Sequence, residues 1–247
     1  MVFAHGFGCD QNMWRLVAPA FEDCFKVVLF DHVGAGGSDP LAYDPVKYSS
    51  LQGYAADVVD ICRELELESV VFVGHSVSAM IGVLASNAAP GLFDKLVLVG
   101  PSARYIDDGD YRGGFSASDI EELLVSMESN YLGWSRQMAP MIMGNAEQPE
   151  LGRELSDSFC RTDPAIAAQF AAVTFLSDNR KDLSKVSVPT LVLQCLSDVI
   201  APEPAGEFVR DAIAGSTYVV LDATGHCPHL SVPSATIDAI TPFVQGP

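Results

Sequence analysis

The chain has 247 residues, enough for one α/β domain with an insertion, and 49% of them are apolar. No apolar run approaches the ~20 residues of a membrane span, and no basic start with a long apolar stretch marks a secretory signal. Its 14 basic against 32 acidic residues leave a formal charge of −18, which argues against nucleic acid or an anionic membrane as partner, because both need a basic face.

Strand-like and helix-like stretches alternate from the start, the signature of a parallel sheet with crossover helices. Residues 1–4, 27–30, 70–73, 96–99, 191–193 and 218–221 are short, apolar and bounded by turn residues, so each reads as a buried strand. Tyr54, Val58, Ile61, Cys62 and Leu65 recur at helical spacing ahead of the third strand. Residues 79–85 are apolar nearly all round, as in a helix buried beneath a site. From 102 to 185 the rhythm breaks. After the turn-rich Asp107-Asp108-Gly109-Asp110 and Gly113-Gly114, residues Ile120, Leu123, Leu124, Met127, Tyr131, Trp134 and Met138 form one long apolar stripe. Gly144-Asn145 and Pro149 separate that stripe from a helix at 150–160, and Asp163-Pro164 opens another that runs to 176. The organisation is thus a core at 1–101, a helical insertion at 102–185 placed to cover the strand ends, and the core resumed at 186–247.

The chemistry centres on Gly74-His75-Ser76-Val77-Ser78, between an apolar strand and an apolar helix. This is the strand–turn–helix setting of a nucleophile elbow, with Ser78 where the G-x-S-x-G pattern has its last glycine. A serine hydroxyl needs a base within hydrogen-bond reach and an acid to orient that base. Among His5, His32, His75, His226 and His229, the last two lie far enough along the chain, and His226 is preferred because a short turn, 222–225, sets it at the carboxyl edge of the sheet. For the acid, Asp198 just past the fifth strand is preferred to Asp222, which would have to fold back; Asp178 and Asp182 read as solvated charge. The backbone amides of Val77 and of Phe7, in the loop His5-Gly6-Phe7-Gly8, suit an oxyanion hole, and His5 braces that loop. The loop Asp31-His32-Val33-Gly34-Ala35-Gly36-Gly37-Ser38 lacks a P-loop lysine and a following helix, so it reads as a tight edge loop. Cys227 beside His226 should point away from the serine. The six cysteines, Cys9, Cys24, Cys62, Cys160, Cys195 and Cys227, are scattered without a C-x-x-C pair, which points to free thiols in a reducing, cytoplasmic setting and to no metal.

On these residues the chain resembles the RsbQ group of α/β-hydrolases, close to the plant butenolide receptors of the karrikin and strigolactone type. The matching stretches are His5-Gly6-Phe7-Gly8-Cys9-Asp10-Gln11, the elbow from Gly74 on through Ser86, Asn130-Tyr131 with Trp134, and Gly225-His226. The resemblance implies an α/β-hydrolase fold with a mostly parallel sheet and a four-helix, V-shaped lid. It implies a triad of Ser76, Asp198 and His226, oxyanion amides at Phe7 and Val77, and a pocket lined by Phe7, Tyr105, Phe115, Leu123, Trp134, Met138 and Phe175. It also implies a cofactor-free serine hydrolase of a small apolar ester or lactone, signalling through a phosphatase-type protein partner, and Ser78 in place of the motif glycine as in the plant members. Relatives carry an antiparallel hairpin ahead of the first strand seen here, so a clipped or misassigned start is expected, which would leave one sheet edge bare without removing any catalytic group. The rival expectations are a ligand receptor whose output is partner binding and a perhydrolase using the same triad.

Overall fold

Period-two alternation in the apolar strands sends successive side chains to opposite faces of one sheet. Along Val70–His75, Val70 and Phe72 join a core with the helices on one side, while Val71 and Val73 join a core on the other. Leu96 and Leu98 against Val97 and Val99 repeat the division one strand further on. The structure, a computed structural model, describes residues 1–246. Its strands are β1 (Val2–Ala4), β2 (Val28–Phe30), β3 (Val70–His75), β4 (Phe93–Val99), β5 (Thr190–Ser197) and β6 (Thr217–Thr224). All pair in parallel in the order β2-β1-β3-β4-β5-β6, so β2 and β6 are the edges.

Helices α1 (Leu51–Glu64) and α2 (Val77–Ala88) pack on the first face, and residues 77–85 of α2 are all buried, which accounts for that segment being apolar all round. The second face is covered by Trp14 and Phe21 from two short 3-10 turns, by Val17 between them, and by Ile240 and Val244 of the last helix, α10 (Pro233–Gln245). Among the described residues no helix is long and apolar enough to cross a membrane.

Between β4 and β5 run α3 (Ala117–Ser129), α4 (Tyr131–Met143), α5 (Pro149–Arg161), α6 (Pro164–Phe175) and the short α7 (Arg180–Leu183). The stripe expected as one run at 120–138 is two helices. Asn130, extended at φ −159°, ends α3, and its side chain accepts the Gly133 N–H at 3.0 Å to cap α4. At α6 the cap is as the sequence suggests, with Asp163 accepting from Ala165 and Ile166 N–H. Helices α3–α6 bury their own cluster, built on Ile120, Met127, Tyr131, Trp134, Leu155 and Phe159. Asp178 is not a free solvated charge. Arg180 and Arg104 both hold it, at 2.6 and 2.9 Å, and the Arg180 hydrogen bonds keep its carboxyl well below the usual range. After β5 come α8 (Glu203–Ala212), then β6, the short α9 (Pro228–Ser231) and α10.

Candidate active site

Sheet register delivers the site. Ala4 of β1 pairs with Gly74 of β3 on one side and with Phe30 of β2 on the other, so the chains carrying His5, His32 and His75 leave the sheet side by side. A Cβ on Gly74 would lie 2.3 Å from the Ser78 carbonyl oxygen, so the strand and the first helical turn touch there and glycine is required. Between them Ser76 is held at φ 57° and ψ −123°, a conformation that L side chains rarely adopt. Such strain persists where the surroundings over-determine it. Here a buried strand and a buried helix clamp both sides.

His226 Nε2 lies 2.7 Å from Ser76 Oγ, and His226 Nδ1 lies 2.7 Å from Asp198 Oδ2. A neutral imidazole that donates from Nδ1 to the carboxylate presents a lone pair on Nε2 to the serine hydroxyl. The other carboxylate oxygen accepts from the backbone N–H groups of Ile200 and Ala201, at 2.8 and 3.1 Å, which fixes the orientation of Asp198. All three side chains are buried. Asp222 sits on β6, exposed, so the expected 222–225 turn is strand through Thr224 and only Gly225 intervenes before His226. His229 lies on α9, between Trp14 and His75, with neither ring nitrogen partnered.

The backbone of His226 is held from two sides. Its carbonyl accepts from His75 Nε2 at 2.8 Å, and its N–H donates to the Ile142 carbonyl at 2.9 Å. Ile142 lies in the last turn of α4, where carbonyls lack intrahelical partners. The backbone of Gly100, at φ 58°, passes so close to the imidazole that a Cβ there would be 3.2 Å from Cε1. Opposite, the Val77 N–H opens α2 and so has no intrahelical acceptor. Among the described residues the Phe7 N–H also has no acceptor.

Above Ser76 and His226 is a small, mostly apolar cavity of about 30 Å³. Of the pocket residues expected from the sequence, Phe7, Tyr105, Leu123, Trp134, Met138 and Phe175 line it. Phe115 does not. Its backbone bridges Ile106 across the turn, which leaves the ring half-buried against the flank of the helical cluster. Sequence reading missed Cys9, Ile142, Leu155, Phe159, Thr174, Ile200 and Cys227, all of which reach the wall. Helical spacing identifies the buried face of α5 but not that its Leu155 and Phe159 turn toward the serine. Phe7 meets Trp134, Phe159 and Phe175 at centroid distances of 6.4, 5.8 and 6.3 Å. The hydroxyls of Tyr105 and Thr174 are buried at this wall without protein partners. Cys227 faces the cavity too, and burial pushes its thiol well above the usual range, away from nucleophilic thiolate. All six cysteines are free.

The chain belongs to the alpha/beta hydrolase family, whose model matches residues 1–239. With a serine at the elbow and a histidine against it, it is an α/β-fold serine hydrolase. It is 42% identical to the karrikin insensitive 2 receptor CA of Petunia hybrida, over 97% of this chain and 89% of that protein. It is 41% identical to the strigolactone esterase D14 of Arabidopsis thaliana, over 95% of this chain and 88% of that one. A solved hydrolase from Oleispira antarctica superposes with a TM-score of 0.97 at 40% identity, covering 100% of this chain and 90% of its own.

Proposed function

We propose that this protein hydrolyses small, weakly polar esters or lactones, butenolides among them, through Ser76, His226 and Asp198, without a cofactor. His226 Nε2 takes the Ser76 proton as Oγ attacks the carbonyl carbon, and the carbonyl π pair moves onto oxygen. The Phe7 and Val77 amides stabilise that oxyanion. Collapse expels the alcohol, which receives the proton from His226, and the acyl group stays on Ser76. His226 then deprotonates a water that attacks the acyl carbon, and the product acid leaves as Oγ regains its proton. In a lactone the leaving alcohol remains tethered to the acyl group.

The carrying observation is the continuous hydrogen-bonded line from Asp198 through His226 to Ser76, at 2.7 Å in both links. The narrow apolar wall favours small ligands, and the unpartnered Tyr105 and Thr174 hydroxyls suit ester or lactone oxygens. Helices α3–α6 serve as the lid, and admission of a larger ligand requires them to shift. Turnover of a panel of nitrophenyl esters and butenolides tests this reading. Ser76→Ala should lower kcat by at least ~10³-fold in a folded protein. Undiminished turnover by that variant would reject it.

A receptor role is the second reading, supported by the similarity to a plant receptor and by the bond between the end of α4 and the backbone of His226. Lid position and site occupancy are then linked, and a cytoplasmic partner of phosphatase type could read the lid. Ligand-dependent capture of such a phosphatase by the Ser76→Ala variant, which would bind without turnover, supports it.

A further inference from the structure

Ser78 occupies the last motif position, where the elbow pattern has glycine, and it is fully buried. The tight approach of strand and helix is resolved at Gly74, which leaves the side chain at 78 available for another task. Ser78 Oγ donates to the His5 carbonyl oxygen at 2.5 Å. A hydroxyl carries one proton, so in the 2.8 Å contact with His32 Nε2 the imidazole is the donor. The His32 backbone N–H donates to His5 Nε2 at 3.1 Å, which leaves the His5 proton on Nδ1. From there it reaches the Gly6 carbonyl oxygen at 2.9 Å, and the Cys9 N–H donates to the same oxygen at 3.2 Å.

The Gly6 carbonyl and the Phe7 N–H belong to one planar trans peptide and point in opposite directions. Whatever holds the Gly6 oxygen therefore aims the Phe7 N–H. The loop already rests on the elbow, since a Cβ on Gly6 would lie 2.6 Å from His75 Nδ1 and 3.2 Å from Ser76 Cβ. Contact fixes its distance. Rotation of its peptide planes is fixed by hydrogen bonds, and His5 supplies an acceptor to one side of the network and a donor to the other.

We propose that Ser78 and His32 are positioning residues that latch the His5-Gly6-Phe7 loop to the nucleophile elbow and so hold the Phe7 amide on the oxyanion. The inference rests on the serine-hydrolase reading above. A glycine at 78 would leave the His5 carbonyl without its donor and the buried His32 Nε2–H without an acceptor. The latch would then loosen where the transition state, and not the ground state, needs it.

The test compares wild type with Ser78→Ala, Ser78→Gly, His32→Phe and the Ser78→Ala/His32→Phe double variant. Each is assayed for kcat and KM on a nitrophenyl ester and for inhibition by a boronic acid, whose tetrahedral adduct on Ser76 mimics the oxyanion. Loss of a whole oxyanion donor costs ~10²–10³ in kcat, so misaiming one should lower kcat about tenfold. KM should stay within about twofold, the boronic acid should weaken in step with kcat, and the double variant should be no worse than Ser78→Ala alone. An unchanged kcat and unchanged boronic acid affinity in folded Ser78→Gly or His32→Phe would overturn the proposal. So would additive losses in the double variant. Ser76→Ala separates the two readings: if it stays active the hydrolase reading fails, and if it is inert while the Ser78 variants are normal, only the latch fails.

Discussion

The strain at Ser76 has an energetic cost that glycine would relieve and alanine would not. A non-glycine residue in such a conformation costs of order 1–3 kcal/mol, and Ser76 sits at φ 57°. Ser76→Gly should therefore be more stable than Ser76→Ala, by about 1 kcal/mol after the glycine's larger unfolding entropy is counted, as read from urea denaturation. Equal stabilities would mean that the elbow is not strained. Asp198 sets the tautomer of His226. An asparagine could keep its oxygen on the Ile200 and Ala201 amides and would then turn its NH₂ toward His226 Nδ1. The imidazole proton would move to Nε2, where it blocks acceptance of the serine proton. Asp198→Asn should leave the fold intact and lower kcat by about 10³–10⁴-fold. That Ser76, Asp198 and His226 come together was readable because each stands within two residues of the end of a strand whose apolar run is plain in the sequence. The latch was not readable, because it depends on which hydroxyl faces which carbonyl across three strand ends.

At the scale of elements, the end of α4 and the loop after β6 behave as one unit. A Cβ on Gly225, at φ 94°, would lie 1.8 Å from the Met143 carbonyl oxygen. Asn145 Nδ2 donates to the Met143 and Thr224 carbonyls at 2.6 and 3.0 Å, across the same seam. Gly225→Ala should push the loop bearing His226 away from α4, with a stability loss of about 2 kcal/mol or more by thermal unfolding and a matching fall in turnover. Asn145→Ala, which adds no bulk, should do less of both. Parallel losses from the two variants would point to hydrogen bonding and not to contact as the link. The helical insertion was only partly legible. Its apolar stripe keeps helical spacing across Asn130, so periodicity alone does not reveal the break that a cap creates. Spacing also cannot tell which buried face turns toward the serine, so Phe159 went unread, whereas Phe115 was expected there because the resemblance implied it, and its backbone bridge to Ile106 holds it aside.

Across the whole molecule, the parallel sheet was legible because fully buried strands leave apolar runs punctuated by turns, and the pattern survives any detail of packing. The buried histidines were legible as residues but not as a set. His5, His32, His75 and His229 all lie in the interior, and burial lowers the pKa of each, that of His229 to about 3. Unfolded histidines take up protons near pH 6.5, whereas burial shifts protonation of these four to lower pH in the folded protein. The unfolded state then binds more protons, so stability falls as pH drops below about 6.5, by up to about 1.4 kcal/mol per pH unit for each histidine. For His229 the loss continues down to about pH 3. Denaturant midpoints between pH 8 and 5 should be flat at first and then fall steeply, while a flat profile throughout would show that these rings are not buried as neutral groups. Hydrolysis by this route requires Ser76 to become covalently acylated. Intact-mass analysis of acid-quenched protein after mixing with an activated nitrophenyl ester, followed by peptide mapping, reads this directly. One acyl group is expected, located on Ser76 and absent from Ser76→Ala; turnover with no adduct, or an adduct on another residue, would contradict this mechanism.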